Sequence, residues 1–228
     1  MPEPELTPYL DERSVVTGLA SKLLDRIIAN AESTIRSQWA KRKKHQAEEV
    51  ASFLAGQVRT YRLIKNILYH NNPIELEKLY IPLKFSSDPY AYHNPSAKTL
   101  SDTAVLELAQ TPNRLVIAPT AGAGKSFFMR KMLLALSANG AATEIAPIFF
   151  ELRNLNGKPK LPLTTIILNH IKQHVPSFMP EQLDIGLEAG AFAIILDGYD
   201  EIEPENNSFY EEQILQFGRR FPKAPLVI

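Results

Sequence analysis

Eight residues, Pro119-Thr120-Ala121-Gly122-Ala123-Gly124-Lys125-Ser126, stand between the apolar run Leu115-Val116-Ile117 and the helical pattern that begins at Phe127. Strand, tight small-residue loop and helix in that order leave few folds open. Small residues let consecutive backbone N–H groups close around phosphate oxygens, and the start of a helix adds its partial positive charge. The stretch reads as a phosphate-binding P-loop, with Lys125 reaching the β- and γ-phosphates of a nucleoside triphosphate and the Ser126 hydroxyl holding Mg²⁺. The usual first glycine of the G-x-x-x-x-G-K-[ST] pattern is Pro119. Proline lacks an N–H and fixes φ. The cradle draws mainly on the amides from Gly122 to Ser126, so we expect a changed approach into the loop and a retained site.

A second motif follows. Phe192-Ala193-Ile194-Ile195-Leu196 is apolar throughout and runs into Asp197-Gly198-Tyr199-Asp200-Glu201. The run suits a strand buried in a parallel sheet. Carboxylates leaving such a strand sit at its C-terminal edge, where open α/β sheets bind ligands. Asp197 is then a candidate Mg²⁺ holder, and Asp200 or Glu201 a candidate for orienting or activating the attacking water.

These residues resemble those of NACHT-domain NTPases. Ile195-Leu196-Asp197-Gly198-Tyr199-Asp200-Glu201 is similar to the family's Walker B signature, with a small residue after the first Asp and an acidic pair two residues on. Ala121-Gly122-Ala123-Gly124-Lys125-Ser126 is similar to its P-loop core. Pro147-Ile148-Phe149-Phe150-Glu151-Leu152-Arg153-Asn154 is similar to its second strand and exit, and Tyr80-Ile81-Pro82-Leu83 resembles an element that often precedes the domain in bacterial members. The resemblance covers about residues 76 to 228, and Pro119 departs from it. It implies ATP (or GTP) with Mg²⁺ as ligands and nucleotide-gated self-association or a signalling partner, in innate immunity or antiphage defence. Hydrolysis would be slow and regulatory. It also makes Tyr80, Ile81 and Pro82 candidates for the base pocket, against the plainer reading of an ordinary linker. Two other readings of the P-loop are a non-catalytic nucleotide- or partner-binding module and a constitutive P-loop ATPase or kinase.

From Asn113 onward strand and helix patterns alternate, with strands at Leu115–Ala118, Ile145–Leu152, Phe192–Leu196 and Leu226–Ile228. Helices fall at Ser126–Leu136, Leu163–Val175 and Phe209–Arg220. That alternation predicts an α/β fold with a parallel sheet and helices on both faces. By resemblance the last strand inserts between the Walker B strand and the P-loop strand, so the sheet is expected to be incomplete at the C-terminus. The sensor arginine, helical domain and winged helix of relatives would be missing, and we expect a fragment, a truncated product or a chain completed by a partner.

Upstream, Val16, Leu19, Leu23 and Ile27 recur at helical spacing, as do Val50, Phe53, Leu54, Val58, Tyr61, Ile64 and Leu68. Ser14 is a candidate N-cap, and Asn71-Asn72-Pro73 ends the pattern. Residues 14–70 therefore read as one long helix or an antiparallel pair. It either buries against the NTPase core or forms a small signalling or oligomerisation module. The expected division is 1–75, an α-helical N-terminal region, and 76–228, the NTPase domain. Lys41 to His45 reads as a solvated helix face, Trp39 as a packing residue and 71–113 as irregular.

Composition narrows the field. Twenty-five basic residues balance twenty-five acidic ones, so no bulk charge draws the chain to nucleic acid or anionic membrane. There is no cysteine, which rules out disulfides and thiolate chemistry. The acidic start Met1-Pro2-Glu3-Pro4-Glu5 is unlike a signal peptide, and no apolar run reaches the ~18 residues of a membrane span. The expectation is a cytoplasmic protein. His170 and His174 share a predicted helix face, but the zinc-protease arrangement of a nearby carboxylate is missing, and they read as surface or half-buried histidines.

Overall fold

A computed structural model describes residues 12–64, 73–88, 96, 98–118 and 122–228. Two long helices come first, α1 (Glu12–Ala29) and α2 (Ser33–Arg62). The break between them makes the region a pair, not one long helix. Its capping is local: Asn30 Nδ2 donates to Arg26 O (2.8 Å), and Arg36 Nη2 donates to Ala31 O (2.8 Å). The Ser14 side chain, Asn71, Asn72 and Leu68 lie outside the described side chains.

Two small antiparallel pairings link this region to the main sheet. Strand β1 (Leu63–Ile64) pairs with β2 (Ile74–Glu75), which leads into the short helix α3 (Leu76–Leu79). Strand β3 (Lys84–Ser86) pairs with β4 (Thr99–Ser101), which runs into α4 (Asp102–Leu108). Ser101 caps α4, its side chain accepting from Ala104 N.

The main sheet has four parallel strands. They are β5 (Arg114–Leu115), β6 (Ala146–Glu151), β7 (Phe192–Asp197) and β8 (Leu226–Val227), in the order β5-β8-β7-β6. The last strand therefore lies between the P-loop strand and the Walker B strand, as the resemblance implies. Pairing runs past the short strands, since Ile117 N donates to Ile228 O (2.8 Å).

The crossovers are α5 (Lys125–Thr143) after β5, α6 (Leu163–Lys172) and α7 (Pro180–Glu188) after β6, and α8 (Pro204–Arg220) after β7. Helix α7 has no counterpart among the helices read from the sequence. Pro176, Pro180, Gly186 and Gly190 punctuate its stretch and hide the periodicity.

Side chains leave a strand to alternate faces, and β7 divides two apolar clusters accordingly. Phe192, Ile194 and Leu196 join α1, α2, α6, α7 and α8 on one side. Ala193 and Ile195 join α4 and α5 on the other.

Helices α1 and α2 belong to this packing. Leu19, Leu23, Leu24, Ile27, Val50, Phe53 and Leu54 are buried in the first cluster, with Trp39 packed against it. Lys22 Nζ donates to Ala141 O (2.7 Å), and Arg26 donates to Glu144 O (3.3 Å) and to Ala189 O. Two basic side chains of α1 thus satisfy the C-terminal carbonyls of α5 and α7, where cations are favoured by the helix dipole. Helix α5 runs through Gly140, beyond the end expected at Leu136. A Cβ there would stand 2.4 Å from Leu19 Cδ2, so the glycine serves the crossing with α1 and does not stop the helix.

Along the outer edge of β6, Gln57 of α2 supplies what a further strand would. Its Nε2 donates to Pro147 O (3.3 Å), and its Oε1 accepts from Phe149 N (2.9 Å). A buried edge with unpaired peptide groups is costly, and this one glutamine pairs both.

Candidate functional site

The C-terminal ends of β5 and β7 open on a cleft of about 620 Å³. Its lining includes Gly122 to Phe127 from the loop and first turn of α5, and Tyr199 to Glu201 from the turn after β7. Pro119, Thr120 and Ala121 lie outside the described residues. Gly122 (φ 79°) and Gly124 (φ 88°) are both left-handed, a conformation that a Cβ disfavours. Gly124 is the N-cap of α5, so the unpaired first amides of that helix face the cleft.

Ser126 of the cleft lining meets Asp197, which the lining itself does not take in. Ser126 Oγ donates to Asp197 Oδ1 across 3.2 Å. Asp197 ends β7 and is only 4% exposed. Burial raises its carboxyl above the ordinary range, while the Ser126 hydroxyl and the Lys125 charge pull the other way. A buried carboxylate beside a hydroxyl is a hard, oxygen-only donor set of the type that suits Mg²⁺.

Asp200 and Glu201 sit on a single 3-10 turn, Tyr199–Glu201, entered through left-handed Gly198 (φ 79°). Their side chains go separate ways. Asp200 accepts from Lys125 Nζ, and that bond holds its carboxyl below the ordinary range. Glu201 Oε2 is paired with Arg153 Nη1 at 3.4 Å. Its other oxygen, Oε1, is 3.1 Å from where a Cβ on Gly198 would stand. The left-handed backbone angle favours glycine at 198, and a Cβ there would crowd that carboxylate.

Several residues with no role in the sequence reading shape this turn. Glu151 ends β6 in register with Asp197 at the end of β7. It receives Arg153 Nη2 (2.9 Å) and Arg130 Nη2 (3.4 Å) on the same Oε1. Asn156 Nδ2 donates to Glu201 O (2.8 Å), and its Oδ1 accepts from Glu203 N (3.0 Å), bracketing the acidic turn. The one signal in the sequence was that two apolar runs, 147–150 and 192–196, each end in a carboxylate. Tyr61 of α2 reaches the same network: its ring lies 4.3 Å from that of Phe149 and 5.5 Å from the Arg130 guanidinium. Burial, then Glu151, pushes its hydroxyl up to about 12.

The cleft lining takes in none of Tyr80, Ile81 and Pro82. The Tyr80 hydroxyl donates to Asp102 Oδ2 (3.1 Å), and Lys131 Nζ lies 4.0 Å from its ring centroid. Ile81 is 78% exposed. It is Leu83 that approaches the loop, 4.0 Å from a Cβ placed on Gly124. His170 packs edge-on against Phe53 and Phe150, both at 5.5 Å, and burial holds its pKa down. That is the setting of a neutral, packed imidazole.

A parallel sheet whose edge strand turns through a glycine loop into a helix, with a buried carboxylate facing that helix from a sister strand, defines a P-loop NTPase. The family model described as NACHT domain matches residues 113–226, half of the chain, and the chain belongs to that family. A NACHT domain is a nucleotide-binding NTPase domain. A search of curated proteins and a search of solved structures each gave no match. Among the described residues no helix is long and apolar enough to cross a membrane.

Proposed function

We propose that this chain binds ATP or GTP with Mg²⁺ as a NACHT-type signalling NTPase of the STAND class. Nucleotide binding would gate self-association, or docking of a signalling partner, in cytoplasmic immune or antiphage defence. Residues Pro119 to Ser126 cradle the phosphates, Lys125 pairs with the terminal ones, Ser126 and Asp197 hold the cation, and Asp200 and Glu201 serve slow hydrolysis. The observation that supports this most is the meeting of Ser126 Oγ, on the cleft lining, with Asp197 Oδ1. The pairing of Lys125 with Asp200 fits as well, because an incoming triphosphate exchanges one anionic partner of Lys125 for another.

The test is direct binding of a fluorescent triphosphate by the full chain. Lys125→Ala is expected to abolish it while the fold survives by circular dichroism. Undiminished binding by that variant would sink the assignment. Turnover in the ordinary enzyme range of roughly 1–10³ s⁻¹ would favour a constitutive ATPase instead.

A further inference from the structure

We propose that Arg153 is a positioning residue for Glu201, and that Glu151 and Arg130 are its anchor; the proposal rests on the NTPase reading above. An exposed ion pair is worth about 0–1 kcal/mol and seldom fixes anything. Arg153 and Glu201 taken alone would be such a pair, at 49% and 44% side-chain exposure. Arg153, however, spans two carboxylates with one planar fork. Its Nη2 holds Glu151, a side chain only 14% exposed, at 2.9 Å, while its Nη1 holds Glu201 at 3.4 Å. Glu151 is held from behind by Arg130 of α5, the helix that begins at Lys125. A guanidinium fixed at one end presents its other nitrogen in a set direction, which a lysine cannot do.

The consequence is a division of labour among three carboxylates in one turn of chain. Asp197 faces Ser126, Asp200 faces Lys125, and Glu201 faces Arg153. Asn156 fixes the peptide of Glu201 while Arg153 fixes one carboxylate oxygen, and the remaining oxygen lies over Gly198, the residue after Asp197. Glu201 lines the cleft, and with Oε2 held by Arg153 its Oε1 is the oxygen that takes a proton from water there. In that step the water oxygen bonds to the terminal phosphorus, the bridging P–O bond breaks, the diphosphate leaves with the bond's electron pair, and the water's proton passes to Glu201 Oε1.

The experiment compares the full chain with Arg153→Ala, Arg153→Lys, Glu201→Gln and the Arg153→Ala/Glu201→Gln double variant. Triphosphate affinity is measured by fluorescence, and hydrolysis by single turnover with protein in excess. Arg153→Ala is expected to keep affinity within about threefold and to slow the single turnover by at least about tenfold, a modest share of what general-base catalysis contributes. Arg153→Lys should recover part of the rate. The double variant should be no slower than Glu201→Gln alone, because the arginine acts through that carboxylate. An unchanged rate in Arg153→Ala overturns the proposal. So do a loss of affinity parallel to the loss of rate, a further loss in the double variant, and a wild-type chain that binds nucleotide without turning it over. A wild-type chain that binds no nucleotide overturns the NTPase reading itself, and this proposal with it.

Discussion

At the scale of single residues, Asp197 carries the sharpest electrostatic conflict. Its carboxylate is buried, so charge at that position costs stability in the empty site and is offset when a cation binds. The sign follows from the raised pKa. The group's favourable contribution to stability is present below its unfolded value of about 3.9 and is lost as pH rises through the folded value. Asp197→Asn is therefore expected to raise the melting temperature of the nucleotide-free chain by about 2–4 °C, the shift that ~1 kcal/mol gives a chain of this size. The same variant should lose the magnesium dependence of nucleotide binding. In the wild type, magnesium-dependent affinity should weaken as pH falls through the raised pKa, because proton and cation compete for one carboxylate. A lowered melting temperature for Asp197→Asn would show that burial is not the dominant influence on this group.

Between elements, the junction that matters most is α2 against β6. The same helix that pairs the strand's outer edge through Gln57 also places Tyr61 beside Arg130 and Phe149. Gln57→Leu keeps the bulk and removes both hydrogen bonds, leaving Phe149 N–H and Pro147 C=O buried without that partner. We expect a loss of about 2 kcal/mol, within the usual cost of stranded buried polar groups. It should appear as a lower denaturant midpoint with an unchanged m-value. Hydrogen exchange at the Phe149 amide should also quicken relative to amides in β7. A stability within about 0.5 kcal/mol of wild type, the scatter of neutral surface changes, would mean that the edge is satisfied in another way.

For the molecule as a whole, the question is whether the N-terminal helices form a separate module or part of one core. The apolar cluster runs across the boundary expected at residue 75 without a break. Leu19, Leu23, Leu24, Ile27, Val50, Phe53 and Leu54 are buried there. At about 1.5–3 kcal/mol for each such side chain, their burial rivals the 5–15 kcal/mol that is the net stability of a typical domain. A chain starting at residue 65 is thus expected to lose cooperative thermal unfolding and to expose apolar surface that binds a hydrophobic dye. A soluble piece 65–228 that unfolds cooperatively and binds triphosphate would instead establish the helices as a separable module.

Much of this architecture was legible in the amino-acid order. Unbroken apolar runs ending in carboxylates, and a glycine loop between strand and helix, declare the parallel sheet, its polarity and the cleft at its C-terminal edge. These patterns are local, and each is set by which side chains tolerate water or a left-handed backbone. The positions of Gly122, Gly124, Lys125, Ser126, Asp200 and Glu201 around one cleft, with Asp197 against Ser126, follow from them. The sequence could not show which carboxylate pairs with which cation, because Asp200 and Glu201 are adjacent in the chain and only the 3-10 turn sends them apart. Nor could it show that Gly140 admits Leu19, that Gln57 stands in for a strand, or that Arg153 bridges Glu151 to Glu201. Leu19 and Gly140, Gln57 and Phe149, and Arg153 and Glu201 are 121, 92 and 48 positions apart. Long-range pairing of this sort is decided by where whole elements pack, and no local periodicity encodes it.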